Sequence, residues 1–195
     1  MFFTLKSRAG SIIFVESKII LKIKGENQML YVFMGPSCSG KSSVARELKS
    51  LINIQIYTGK DYLRMAKNEQ DAWKVFNEVL KKASNDKELN SQSIVYITSE
   101  KNDVSKIECL DNAVTIKFTA NSEVIKSRFA QRMKGTLPKP VEKMLEQQFS
   151  DWENVNAELL VDTGIETPKE AAKKIYDLTL NSNEWFITGY IGVKC

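Results

Sequence analysis

The amino-acid sequence predicts a three-layer α/β/α fold built on a five-stranded parallel sheet. From Met29 onward, short apolar runs alternate with longer segments of helical periodicity, which is the pattern of an α/β domain. The first apolar run, Leu30 to Met34, is unbroken, as expected for a strand buried on both faces. The chain has 195 residues, 43% of them hydrophobic, which is enough for one domain with a sizeable core.

The elements of the first half follow from apolar runs and amphipathic repeats. Strands are predicted at three short apolar runs: Leu30 to Met34, Ile54 to Tyr57 and Ile94 to Ile97. A helix is predicted for residues 42–51, because Val44, Leu48 and Leu51 recur at i, i+4 and i+7. A second helix carries apolar side chains between charged positions at helical spacing: Trp73, Phe76, Leu80 and Ala83.

The second half continues the alternation of strands and helices. A short helix around Val104 to Leu110 is predicted to precede a strand over Val114 to Phe118, and Asn121 or Ser122 can cap the helix that follows. After the basic segment Lys134 to Pro140 comes a further helix, and then a fifth strand at Leu159 to Val161. The last helix starts at Thr167-Pro168-Lys169-Glu170, which combines a capping box with a proline at the first helical position, and runs toward Leu180.

The segment between the first strand and the first helix fits the phosphate-binding pattern G-x-x-x-x-G-K-[ST] at every fixed position. Its two glycines allow a tight turn whose backbone N–H groups point at phosphate oxygens. Lys41 would reach the outer phosphates and act in catalysis, and Ser42 would give an oxygen to Mg²⁺. The sequence therefore predicts a P-loop NTPase fold that uses ATP and Mg²⁺, with these nucleotide-binding residues: Gly35, Pro36, Ser37, Cys38, Ser39, Gly40, Lys41, Ser42 and Ser43.

The composition excludes catalytic mechanisms that need histidine and argues against one class of partner. The chain has no histidine, which excludes Ser-His-Asp and Cys-His nucleophile systems and histidine zinc sites. Its three cysteines (Cys38, Cys109 and Cys195) lack metal-ligand spacing and fit reduced thiols, so we expect a cytoplasmic protein. We expect this protein to be a monomer or a homodimer. No apolar stretch is long enough to span a membrane. The net charge is +4, but residues 1–28 carry +3 of it, and the nearly neutral remainder argues against nucleic acid as a partner.

Residues 1–28 are predicted to be an extension outside the catalytic fold, which we assign to residues 29–180 and which is followed by a tail over 181–195. Lys24-Gly25-Glu26 can be encoded by a purine-rich stretch of the AAGGAG type, a bacterial ribosome-binding signal, just before Met29. This favours a translation start at Met29. The alternative is a β-hairpin, because Ile12 to Val15 and Ile19 to Ile23 are strand-like.

Outside the loop, the stretch Val114 to Trp152 combines a strand, a helix with two arginines, a proline-containing segment and Glu146-Gln147-Gln148-Phe149-Ser150-Asp151-Trp152-Glu153. With these features the chain, from about Met29 to Leu180, resembles the small-molecule P-loop kinases. The resemblance is greatest to the gluconate kinase and shikimate kinase group of the nucleoside-monophosphate-kinase-like fold. It implies a helical lid around residues 128–145, from which Arg128 and Arg132 close over the transferring phosphoryl group, and a loop in which Gly164 packs on adenine.

The same resemblance assigns Asp61 to the acceptor hydroxyl. Asp61 directly follows the second strand, and ligands of open α/β sheets bind outside the carboxyl ends of the strands. Without histidine, an aspartate is the most plausible acceptor-side base. Lys60 and Arg64 flank Asp61 and could bind an anionic acceptor. Glu100 and Asp103, beyond the third strand, are candidates for an indirect contact with Mg²⁺.

The resemblance leaves the phosphoryl acceptor open. Gluconate kinases carry Gly-His-Phe-Met-Pro in the lid, whereas this chain has Lys134-Gly135-Thr136-Leu137-Pro138, and the arginine and Gly-Gly turn of the shikimate kinase acceptor site have no equivalent here. We therefore expect an ATP-dependent kinase that phosphorylates a hydroxyl of a small, anionic metabolite. The alternatives are a nucleotide or polynucleotide 5′-end kinase, and a nucleotide-binding regulatory protein without catalysis.

Overall fold

The apolar run Leu30–Met34 forms the central strand of a five-stranded parallel sheet. The computed structural model describes residues 6–7, 10–11, 28–85, 92–110 and 113–188. Its strands are β1 (Lys6–Ser7), β2 (Gly10–Ser11), β3 (Leu30–Met34), β4 (Ile54–Thr58), β5 (Ser93–Thr98), β6 (Val114–Thr119) and β7 (Leu159–Asp162). β1 and β2 pair with each other in antiparallel fashion, and the other strands form the parallel sheet in the order β4-β5-β3-β6-β7.

This strand order positions the site. The chain leaves β3 toward β4 and β5 on one side and later returns to add β6 and β7 on the other side. The carboxyl end of β3 is therefore the point at which the direction of winding reverses. In open α/β sheets a crevice forms at that point, and ligands bind there.

Helices cover both faces of the sheet. They are α1 (Lys41–Lys49), a 3₁₀ helix (Asp61–Arg64), α2 (Glu69–Asn85), α3 (Lys101–Ser105), α4 (Ser122–Arg132), α5 (Lys139–Glu153) and α6 (Pro168–Thr188). None of the helices among the described residues is long and apolar enough to cross a membrane.

Two apolar cores separate three layers. On one face, side chains of α1 and α6 pack against alternate residues of the strands, Phe33, Ile116 and Phe118 among them. On the other face, α2, α3 and Trp152 of α5 cover the opposite set, which includes Val32 and Tyr96. The predicted α/β/α fold with its five-stranded parallel sheet is confirmed.

Helices α4 and α5 contain most of residues 128–145, for which a helical lid was predicted, and their role as a lid stays a prediction. A small apolar cluster around Ile125 and Leu145 joins the two helices, and Lys126 bridges them through Glu142 at 2.9 Å and Glu146 at 3.3 Å. Lys134 and Gly135, with φ of 63° and 99°, end α4 in a left-handed turn. The Gly135 N–H donates to the Ala130 carbonyl oxygen at 2.7 Å, as in a Schellman ending.

Two helices, α4 and α6, begin at the capping residues that the sequence predicted. Thr167 and Glu170 form the predicted capping box: the Glu170 carboxylate accepts from the Thr167 N–H at 2.9 Å, and Thr167 Oγ1 accepts from the Glu170 N–H at 3.3 Å. Asn121 caps α4 by accepting from the Glu123 N–H at 2.9 Å. Asn121, rather than Ser122, is therefore the cap.

Two predicted helix positions were wrong. The helix expected at Val104 to Leu110 lies earlier, at Lys101–Ser105, because the buried side chains of Ile107 and Cys109 reach the core from turns. A helical spacing of apolar residues does not distinguish a helix from consecutive turns. The last helix continues to Thr188, beyond its expected end at Leu180. The alternative hairpin over Ile12 to Ile23 lies outside the described residues.

Candidate active site

The phosphate-loop sequence forms a tight turn between β3 and α1. Gly35 and Gly40 have φ of 137° and 89°, which residues with a side chain rarely adopt. A Cβ at Gly35 would collide with the Phe118 carbonyl oxygen, and one at Gly40 would lie 2.8 Å from Thr163 Cγ2. Both fixed glycines of the motif are therefore required by backbone conformation and by the close approach of β6 and the loop after β7.

Lys41 lies at the centre of this loop and is only 5% exposed. Its ammonium donates to the carbonyl oxygens of Gly35 and Pro36, both at 2.6 Å, and to Ser39 Oγ at 3.3 Å. Burial lowers the pKa of Lys41 from 10.5 to about 7, against an opposing effect of Cys38. The loop thus holds a buried lysine at the mouth of the sheet, where a phosphate group would be its natural counter-ion.

An open cavity of about 690 Å³ runs from the phosphate loop to the ends of β4 and β5. Seven of the nine predicted nucleotide-binding residues, Ser37 to Ser43, line it, whereas Gly35 and Pro36 contact Lys41 from outside the cavity wall. Five basic and two acidic side chains line the cavity, so it favours anions: Lys41, Arg46, Lys60, Arg128 and Arg132 against Glu100 and Asp103.

The two predicted lid arginines both reach this cavity. Arg128 donates to Thr163 twice, through Nη1 to Oγ1 and through Nη2 to the carbonyl oxygen, each at 2.8 Å. Thr163 in turn donates its hydroxyl to the Ser39 carbonyl oxygen at 3.0 Å. Arg132 lies one turn further along α4 and is exposed. Arg128 is therefore fixed to the phosphate loop through Thr163, whereas Arg132 forms no such bond with any described residue.

The structure separates the predicted acceptor-side residues. Lys60 lines the cavity, but Asp61 and Arg64 are not part of its wall. The Asp61 carboxylate folds back onto Thr58, where Oδ2 accepts from the backbone N–H and the hydroxyl, both at 2.8 Å. These bonds lower the pKa of Asp61. In this conformation Asp61 closes a turn at the start of the 3₁₀ helix.

Two other carboxylates lie on the acceptor side. Asp103 of α3 and Glu100 before it both line the cavity, and Asp103 is buried. Tyr96 and Thr98 of β5 contact Asp103 Oδ2 at 3.3 and 3.2 Å. Burial, and after it the Asp103 charge, raise the pKa of Tyr96, so the tyrosine stays protonated and can donate. Strand β5 thus holds the Asp103 carboxylate of α3 at the wall of the cavity that the phosphate loop also lines.

Helix α5 contributes contacts that no sequence motif predicted. The buried Gln148 accepts from the Ser37 N–H at 2.9 Å and donates to the Glu100 carboxylate at 3.4 Å. One turn later, Trp152 Nε1 donates to the Ser99 carbonyl oxygen at 3.1 Å. Together with Arg46, Thr163 and Pro168 on the cavity wall, these residues were missed. The available sequence signal for Gln148 was a glutamine at a position on an otherwise apolar helix face.

Gly164, the predicted adenine neighbour, lies in the loop after β7. Its N–H donates to Asp162 Oδ1 at 2.8 Å, and the residue is exposed. A Cβ there would lie 3.0 Å from the same oxygen. Its predicted contact with adenine stays a prediction.

No model of a protein family matches the chain, and no curated protein matches it. Solved structures do match. A gluconokinase from Sinorhizobium meliloti is similar with a TM-score of 0.54 and 15% identity, over 81% of this chain and 97% of that chain. Shikimate kinase from Acinetobacter baumannii, in complex with shikimate, gives a TM-score of 0.53 and 16% identity, over 79% and 94%. YorR protein from Bacillus subtilis, in complex with phosphorylated GDP, gives 0.57 and 20%, over 80% and 98%.

These similarities concern the fold, since the identities do not exceed 20%. They cover nearly the full length of each matched structure, so the whole architecture is shared rather than the phosphate loop alone. Three of the similar structures are named as a sugar kinase, a shikimate kinase and a gluconokinase, which are kinases of small molecules. This chain has the fold of the small-molecule P-loop kinases.

Proposed function

We propose that this protein is an ATP-dependent kinase that transfers the γ-phosphoryl group to a hydroxyl of a small metabolite. One observation carries the proposal: a single cavity joins the phosphate loop and Lys41 to a polar acceptor side at the ends of β4 and β5. Phosphoryl transfer requires in-line positioning and neutralisation of charge, and it demands little covalent chemistry from the protein. A cavity of this kind can provide both the positioning and the neutralisation of charge.

Each part of the cavity has a role in this proposal. The backbone N–H groups of the loop and Lys41 bind the phosphates, and Arg128 and Arg132 stabilise the negative charge of the transferring group. Arg128 is suited to this role because Thr163 holds it against the loop. Arg132, which is exposed at the lid, would complete the charge neutralisation when the acceptor is bound.

The residues at the loop fit Mg²⁺. The described residues contain no cluster of three or more Asp, Glu, Cys or His side chains that could form a dedicated metal cage. Mg²⁺ bound with nucleotides uses few protein ligands beside phosphate oxygens and water. Ser42 lines the cavity at the start of α1 and offers a hydroxyl oxygen of the kind that Mg²⁺ prefers. When bound there, Mg²⁺ would neutralise charge on the outer phosphates.

The acceptor side favours a small polar molecule with hydroxyl groups. Lys60, which was predicted on the acceptor side, lines the cavity and could bind an anionic group of the acceptor, whereas Arg64 is not part of the cavity wall. Glu100, Asp103, Thr58 and Thr98 offer acceptors and donors for hydroxyls. The assignment of Asp61 to the acceptor hydroxyl stays a prediction, and the turnover of Asp61→Asn tests it.

The test is ADP formation from MgATP in the presence of candidate acceptors: sugar acids, neutral sugars, shikimate, nucleosides and nucleoside monophosphates. Nucleotides belong in this panel because the similar YorR structure holds phosphorylated GDP. We expect multiple turnovers that depend on one acceptor class and disappear in Lys41→Ala. Binding of MgATP without turnover on any acceptor would instead support the alternative of a regulatory nucleotide-binding protein.

A further inference from the structure

Asp103 is the most enclosed acidic side chain of the cavity. It is 8% exposed, lies on α3 directly beyond the carboxyl end of β5, and lines the same cavity as Lys41 and Ser42. Strand β5 is the neighbour of β3, so α3 begins next to the phosphate loop. An acceptor that enters between the loop and β5 would therefore meet the Asp103 carboxylate.

The two carboxylate oxygens of Asp103 have different surroundings. Oδ2 is held by the hydroxyls of Tyr96 and Thr98 at 3.3 and 3.2 Å. Oδ1 forms no hydrogen bond, and the carboxylate no ion pair, with any residue in the part of the chain that the structure describes. Hydrogen bonds to one oxygen fix the orientation of the carboxylate. The other oxygen keeps its lone pairs for a ligand.

Asp61 offers a direct comparison. Its carboxylate accepts two hydrogen bonds from Thr58 through Oδ2, both at 2.8 Å, and the residue is not part of the cavity wall. Among the acidic side chains of the wall, Glu100 is engaged by Gln148. Asp103 thus combines burial, a fixed orientation and a place on the cavity wall with an oxygen that is unpaired among the described residues.

We propose that Asp103 is the catalytic residue that accepts the proton of the acceptor hydroxyl, an inference that rests on the proposed kinase function. In this step the acceptor oxygen bonds to the γ-phosphorus of ATP while the bond from that phosphorus to the β–γ bridging oxygen breaks. The hydroxyl proton moves to Asp103 Oδ1, and ADP leaves with the bridging oxygen. The carboxyl group later returns the proton to water, so the enzyme is regenerated.

The test compares Asp103→Asn with Asp61→Asn, using the acceptor that gives the highest turnover in the ADP assay. Asparagine keeps an oxygen for Tyr96 and Thr98 but removes the basic carboxylate. We expect Asp103→Asn to lower kcat by about 10² to 10⁴, the usual contribution of a positioned base, with MgATP affinity and melting temperature nearly unchanged. The matched control is Asp177→Asn, because Asp177 lies exposed on α6 and outside the cavity wall, and this variant should retain wild-type turnover. A larger loss of kcat in Asp61→Asn than in Asp103→Asn would assign the base to Asp61 and overturn the proposal.

Chemical rescue separates a proton acceptor from a residue that only shapes the site. Asp103→Ala leaves room for a small carboxylate in the cavity, so added formate should restore part of its turnover and should not restore that of Lys41→Ala. If formate gives no rescue, or if Asp103→Asn retains wild-type turnover, the proposal is overturned. Recovery of Asp103→Asn by raised Mg²⁺ alone would assign Asp103 to the metal and also overturn it. A wild-type protein that forms no ADP would instead refute the kinase function itself.

Discussion

At the scale of single residues, Lys41 shows how the loop sequence sets the chemistry of one side chain. The motif places its ammonium among the carbonyl oxygens of Gly35 and Pro36, and burial lowers its pKa to about 7. The ammonium is therefore mostly charged below about pH 7 and increasingly neutral above it. A phosphate group favours the charged form, because it supplies an opposite charge.

This pKa predicts that MgATP binding takes up a proton and that the affinity falls as the pH rises above about 7. Titration calorimetry in buffers of different ionisation enthalpy measures the uptake. Lys41→Arg stays charged throughout this range, so any binding that it retains should not show the uptake. Proton uptake of the same size in the arginine variant, or none in the wild type, would contradict the assignment.

In the free protein, the Lys41 contribution to the free energy of unfolding should rise with pH between about 7 and 10.5, because the unfolded chain binds more protons there.

Cys38 predicts sensitivity to thiol reagents. It lines the cavity within the phosphate loop and also packs against the apolar cluster that joins α4 and α5, whereas Cys109 is buried. Alkylation would place a bulky group where a phosphate is expected. We expect iodoacetamide to label Cys38 and abolish the MgATP-dependent rise in melting temperature, and MgATP to protect the thiol. The Cys38→Ser variant should keep its MgATP-dependent rise in melting temperature after treatment with iodoacetamide. Labelling of Cys38 that leaves MgATP binding intact would show that the thiol is only a filler.

Among the helices, α5 connects α4 to both sides of the cavity. Gln148 bridges Ser37 of the phosphate loop and Glu100 after β5, and Trp152 anchors the same helix to Ser99. The ion pairs of Lys126 extend this connection to α4, which carries Arg128 and Arg132. The position of the lid arginines is thus linked to the loop through side chains of α5.

Replacement of Gln148 tests this connection. Gln148→Leu removes the hydrogen bonds to the half-buried Ser37 N–H and to the exposed Glu100 carboxylate, and a typical intramolecular hydrogen bond contributes about 0.5 to 1.5 kcal/mol. We expect a loss of that size in the free energy of unfolding, measured by urea denaturation, together with weaker MgATP binding. Gln147→Leu is the matched control, because Gln147 is exposed and its side chain bonds, among the described residues, only Asp151 on the same helix. Equal effects of both substitutions would show that the Gln148 side chain of α5 does not hold the phosphate loop in place.

The sequence predicted the strands, the phosphate loop and most helices because their signals are local. Gly35, Gly40 and Lys41 belong to one motif, and the capping box at Thr167 spans four residues. The contacts of Gln148 could not be predicted, because its partners lie 111 and 48 residues away in the chain. Asp103 was predicted only as a candidate for an indirect contact with Mg²⁺. Its burial depends on how α3 folds over β5, where the apolar spacing predicted a helix in the wrong place.

At the scale of the whole molecule, the parallel sheet determines where chemistry can occur. The central position of β3 brings the phosphate loop, the ends of β4 and β5, and the loop after β7 to one edge of the sheet. Residues that are far apart in sequence thereby share one cavity with an excess of basic side chains. The fold gives this arrangement to kinases of different small molecules, so the acceptor depends on the side chains of the cavity rather than on the fold.

The most direct test of the kinase proposal is a phosphorus NMR spectrum of MgATP incubated with the protein and the acceptor panel. Transfer to a hydroxyl predicts a new phosphate-monoester signal that grows in step with ADP, depends on one acceptor class and is absent with Lys41→Ala. Inorganic phosphate as the sole product beside ADP, or unchanged ATP in the presence of demonstrated binding, would contradict the account.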